Sequence, residues 1–141
     1  MSILENLFKN SWYTEKRAKK WERRCFLTEE YKILREMWPE NRLIVIVAAL
    51  TALPIVNVVR LKPSQLHDNY IVVGVRRYWL PRNVADALRR ISDGYYIFPH
   101  RDYAGRHRTR QAVYRDMLRA CRQLGTRRFT PAAVAHLYKP L

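Results

Sequence analysis

The chain has 141 residues, 48 % of them apolar and 12 % aromatic, which suits one globular domain and excludes a disordered chain. Twenty-seven Lys and Arg against twelve Asp and Glu give a net charge of +15. Such an excess repels itself unless a polyanion offsets it, so nucleic acid is the first partner to consider, ahead of an anionic membrane or an acidic protein surface.

In chain order, "MSILENLFKN" lacks the charged start and long apolar stretch of a signal peptide. Residues 1–24 read as a basic arm in which Lys16, Arg17, Lys19, Lys20, Arg23 and Arg24 surround a helix interleaved with Trp12, Tyr13 and Trp21. Such a helix can be a solvated face or an arm following a phosphate backbone. Residues 25–141 read as the core domain. Cys25 and Cys121 stand too far from any partner motif for a disulfide framework or a metal site, which suits buried thiols in a reducing cytoplasm.

Thr28 is placed to cap a helix through "EEYKILREMW", with Glu29 and Glu30 in the first turn and Ile33, Leu34 and Met37 on its apolar face. Pro39 ends that helix. A second is expected from about Asn41 through "RLIVIVAALTAL", buried on nearly every side; Pro54 and Asn57 keep this run short of the ~18–20 apolar residues of a membrane span. "IVNVVRL" supplies a further short helix. After Lys62 the period changes: turn signals at Asp68-Asn69 and Gly74 bracket the β-branched run Ile71–Val73, predicting short antiparallel strands, as many as three. "PRNVADALRRI" returns to helical spacing, and Tyr96–Phe98 is a short buried piece within a loop. Thr109 caps a helix with Val113, Tyr114, Met117, Leu118 and Cys121 on one side and Gly125 at its stop. Thr130 and Pro131 then open a last helix. The fold class is α+β, mostly helical, with a small antiparallel sheet.

The order of these elements, and five short stretches, resemble the catalytic domain of the tyrosine recombinase (phage integrase) family. "RCFLTEEYKIL" is similar to the family's opening helix, and "TALPIVNVVRLKPSQL" to its first box, commonly T-G-L-R-I-S-E-L, through Thr51, Leu53, Ile55, Leu61 and Leu66. "YWLPRNVADALRRI" and "FPHRDYAGRHRTRQAVYRDMLRACRQLG" resemble the elements after the hairpin, and "FTPAAVAHLY" the second box, commonly T-P-H-x-L-R-H-T-F. The likeness runs over residues 24–138 and implies a recombinase-core fold straddling duplex DNA on its basic concave side.

The chemistry does not carry over. The family attacks a phosphodiester with a tyrosine hydroxyl, and the charge gained in the transition state needs fixed cationic donors. The first arginine falls on Pro54; the second box has Ala132 for its histidine and Ala135 for its arginine, leaving only His136. The hairpin lysine has no equivalent: "GVRRYW" offers Arg76 and Arg77, and an arginine, which stays protonated, is a poor proton donor. Tyr138 aligns with a packing aromatic of that box, and the nucleophilic tyrosine has no match. One preorganised donor is worth ~2.7–4 kcal/mol in other enzymes, so loss of both arginines predicts a non-enzyme. Caps and core periodicity are intact, which predicts a folded protein with another task.

The binding candidates are basic. Arg101, Arg106, His107, Arg108, Arg110, Arg115, Arg119, Arg122, Arg127 and Arg128 face only Asp102 and Asp116 in sequence. Arg106, Arg108 and Arg110 are expected to converge at a helix N-terminus, and Arg115, Arg119 and Arg122 to form one stripe. His67, His100, His107 and His136 have no metal-ligand grouping, and no glycine-rich phosphate loop or cofactor motif is present. The expected partner is double-stranded DNA, bound as a regulator or recombination accessory of a phage or mobile element. The alternative is a protein-interaction module that meets an intact recombinase, another host or phage protein, or a second copy of the chain.

Overall fold

A helix that is apolar on every side is stable only with protein on every side. In the computed structural model, which describes residues 29–126, that helix is α2 (Pro39–Thr51), and every residue from Leu43 to Ala49 is buried. The basic arm with Cys25, the Thr28 cap, and everything from Arg127 onward, including Ala132, Ala135 and His136, lie outside the described residues.

α1 (Glu29–Glu36) turns Ile33 and Leu34 inward, and Met37 follows them just past its end. α2 starts two residues earlier than expected: Pro39 occupies its first turn, where a missing amide hydrogen costs nothing. The junction is sealed by Arg42. Its Nε donates to Leu34 O at 2.7 Å and its Nη2 to Arg35 O and Met37 O, which satisfies carbonyls at the end of α1. α2 stops at Thr51. Ala52 turns left-handed at φ 62° and donates its amide to Ala48 O, while Thr51 Oγ1 donates to Val47 O and accepts from Leu53 N. Pro54, extended, is the N-cap of the single-turn helix α3 (Ile55–Val58).

β1 (Tyr70–Val73) pairs antiparallel with β2 (Arg76–Trp79), Tyr70 opposite Trp79 and Val73 opposite Arg76. The sheet has these two strands rather than three. The chain before β1 winds instead into a 3₁₀ turn (Pro63–Gln65), and among the described residues only an isolated bridge, Leu66 to Ile71, touches the sheet there. Gly74 makes the hairpin turn at φ 63°.

α4 (Arg82–Ile91) buries Val84, Ala85, Ala87 and Leu88. The chain then dips inward at Ile97 and Phe98, both fully buried, with Ile97 N donating to Leu61 O at 3.0 Å. Pro99 bridges His107, and Arg108 N donates to Phe98 O at 2.7 Å, so residues 100–106 form an excursion closed at its base. α5 (Arg110–Leu124) begins as its sequence predicts: Thr109 Oγ1 accepts from Ala112 N at 3.2 Å. It ends at Gly125, φ 68°. It packs on α1 and α2 through Val113, Met117, Ala120 and Cys121, the last a buried free thiol.

Over the described residues the fold is α+β, about half helical, with one two-stranded antiparallel sheet. Among the described residues, no helix is long and apolar enough to cross a membrane.

Candidate nucleic-acid interface

The arginines of the C-terminal half divide into two populations. Arg108 and Arg119 turn into the protein. Arg108, only 8 % exposed, donates from Nη1 to Asn41 Oδ1 at 3.0 Å; Asn41 Nδ2 donates to Asp116 Oδ2 at 2.9 Å. Asp116, itself buried, also accepts from Trp38 N at 2.8 Å and from Arg119 Nε and Nη2 at 3.1 and 2.7 Å. Arg119 continues to Glu36 O and Gln123 Oε1. This seam ties the end of α1 and the start of α2 to α5, and the Asp116 carboxylate sits at the positive end of α2.

The expected convergence of Arg106, Arg108 and Arg110 is therefore corrected. Arg108 is buried, held there by the pairing of its backbone with Phe98, while Arg106 lies over the Tyr103 ring at 5.4 Å and Arg110 over Tyr114 at 5.9 Å. The stripe on α5 is corrected at one position: Arg119 is half-buried and ion-paired to Asp116, whereas Arg115 and Arg122 are exposed. His107 is also not a free surface group. It is half-buried edge-on to Tyr96, with Nδ1 2.7 Å from Arg108 O.

The second population faces solvent. Arg76, Arg77, Arg101, Arg106, Arg110, Arg115 and Arg122 are exposed, and none of them makes an ion pair among the described residues. Four lie against aromatic rings: Arg77 over Tyr70 at 5.3 Å, Arg101 over Trp38 at 4.1 Å, and Arg106 and Arg110 as above. Stacking holds the guanidinium plane and leaves its edge donors free for a phosphate or a base edge. On the hairpin, register places Tyr70, Val72, Arg77 and Trp79 on one face, with the Tyr70 ring between His67 at 5.1 Å and Trp79 at 4.9 Å. Trp79 is 58 % exposed.

Between the excursion and the first turns of α5 lies a cleft of about 380 Å³, lined by Trp38, Asn41, His100, Arg101, Arg108 and Arg115 among others. His100 is oriented by accepting at Nδ1 from the amides of Asp102 and Tyr103, at 3.0 and 3.2 Å. Burial holds the Arg108 guanidinium below its ordinary value; Glu40 opposes this, Arg101 adds to it, and Asp116 opposes it.

Sequence reasoning missed Trp38, Asn41 and Asp116. A signal for one of them was present: Asp116 falls three residues after Val113 on the inward side of α5. No protein-family model matches the chain, and neither a curated protein nor a solved structure does.

Proposed function

We propose that this chain binds duplex DNA through its exposed arginines and does not cleave it, acting as a regulator or recombination accessory. The observation that carries the reading is the unpaired state of the outward arginines. Seven of them, Arg76, Arg77, Arg101, Arg106, Arg110, Arg115 and Arg122, stand in solvent with no carboxylate bound among the described residues. Surfaces that serve solubility alone mix both signs. The hairpin adds a route into a groove: a two-stranded ribbon fits the major groove, and this one carries Arg77 beside Trp79.

The absence of cleavage follows from chemistry. If the likeness to recombinase cores holds, Pro54 stands where a phosphate-clamping arginine is needed, and it supplies neither charge nor amide donor. Fluorescence anisotropy with a labelled duplex between about 50 and 200 mM salt tests the binding, because each phosphate neutralised contributes about 0.9 to the slope of log K against log salt. Affinity that ignores salt would sink the proposal. Denaturing electrophoresis of a suicide substrate tests the second half, for which no covalent protein–DNA band is expected.

A further inference from the structure

We propose that the cleft between the 100–106 excursion and α5, which shares Arg101 and Arg115 with the duplex surface, is a binding site for a phosphate monoester of nucleotide size. The inference does not rest on duplex binding. It starts from Arg108, which is more than nine-tenths buried yet whose guanidinium, among the described residues, makes one hydrogen bond, from Nη1 to the neutral amide of Asn41; Nη2 makes none, and Nε is enclosed by protein without an acceptor. A guanidinium withdrawn from water is unfavourable unless charge and donors are matched. Neither carboxylate near it forms an ion pair with it: Glu40 acts only through its field, and Asp116 already accepts from Trp38 N, Asn41 Nδ2 and twice from Arg119. Filling that space for packing alone would call for an apolar side chain. A cation left underpaired on the wall of a cleft is the arrangement an anionic ligand completes.

The rest of the lining agrees. Arg101, Arg108, Arg115 and Arg119 face two carboxylates, Asp102 and Asp116, so the wall is net cationic. Thr109 and Ala112 belong to the start of α5, a helix of 15 residues whose positive end opens on the cleft. A phosphate monoester carries about −1.5 to −2 charges at neutral pH, enough to engage two or three of these arginines. The volume of about 380 Å³ exceeds what a lone phosphate fills and falls in the range of small-ligand sites, roughly 300–1,000 Å³. The Arg101 plane over Trp38 offers a flat wall for a ring. A nucleoside 5′-monophosphate and the 5′-phosphate end of a DNA strand share this chemistry.

Calorimetric titration and thermal shift of the full chain with deoxyadenosine 5′-monophosphate, at constant ionic strength, test the site against deoxyadenosine alone. The monophosphate is expected to bind saturably and raise Tm, and the nucleoside to do neither. Arg108→Met should weaken binding about tenfold or more, the loss of one charge-assisted contact. Arg115→Ala, an exposed change that leaves the core intact, should weaken it several-fold and decides the matter if Arg108→Met does not fold. Arg60→Ala removes the same charge outside the cleft and should leave binding unchanged. No saturable binding of the monophosphate, or equal losses in Arg60→Ala and Arg115→Ala, would overturn the proposal. Competition between 5′-phosphorylated and 5′-hydroxyl duplexes assigns the source: a preference that Arg115→Ala removes points to a DNA end, and equal affinity to a free nucleotide. Loss of duplex binding with monophosphate binding retained would reject the duplex reading alone.

Discussion

Arg108 and Arg119 on one side, and Arg76, Arg77, Arg115 and Arg122 on the other, are the same side chain put to opposite uses. The first pair is drawn into a polar seam around Asp116 and Asn41, where all four donors that reach Asp116 are satisfied and Arg108 Nε is left over. The second set stands in water with no carboxylate attached among the described residues. An excess of arginine in a sequence therefore does not translate directly into nucleic-acid contacts. Part of it is consumed in holding α5 against the α1–α2 junction, and only the remainder is available to a partner.

The seam and the surface should respond to mutation in opposite currencies, stability for one and affinity for the other. The largest effect is expected for Asp116→Ala. It leaves Trp38 N and Asn41 Nδ2 without an acceptor and releases the half-exposed Arg119 to water, and a buried polar group left unsatisfied costs about 1–3 kcal/mol. Urea denaturation followed by circular dichroism measures this, and a loss below about 1 kcal/mol would mean the seam is not structural. On the surface side, the double change Arg76→Ala with Arg77→Ala should leave the denaturation midpoint unaltered. The salt slope of duplex binding should fall by up to about 1.8 if both reach phosphates. An unchanged slope would remove the hairpin from the interface.

The reach of sequence reasoning divides along the same line. α5 was legible because its signals are local: Thr109 caps, Gly125 stops, and Val113, Met117 and Cys121 recur on one side. The all-apolar α2 was legible as the centre of the core for the same reason. What escaped depends on pairings distant in sequence. Arg108 looks like Arg106 and Arg110 until its backbone meets Phe98, and nothing local separates an arginine that turns inward from one that stacks on Tyr103. The third strand failed similarly, because the 3₁₀ turn at Pro63 and the Gln65 Nε2 bond to Val72 O settle the edge of the hairpin.

Thr109→Ala occupies the middle ground. Its hydroxyl caps α5 and its residue lines the cleft, so the change should cost about 1 kcal/mol of stability through the lost bond to Ala112 N. Duplex affinity should stay as it was, which a paired measurement of midpoint and anisotropy would check.

The smallest effect separates the two populations most cleanly. Arg122 and Arg119 are three residues apart on one helix, yet among the described residues Arg122 has no ion pair and Arg119 has Asp116, Glu36 O and Gln123. Arg122→Ala should therefore shift stability by no more than about 0.5 kcal/mol. If Arg122 contacts a phosphate, the same variant should lower the salt slope of duplex binding by about 0.9. Arg119→Ala should do the reverse, lowering the denaturation midpoint while leaving the slope in place. The pair of variants needs no knowledge of the target sequence, because phosphate neutralisation is independent of it. A matching loss of stability in both would mean that exposure does not sort these arginines, and the division between seam and surface would fail at its closest neighbours.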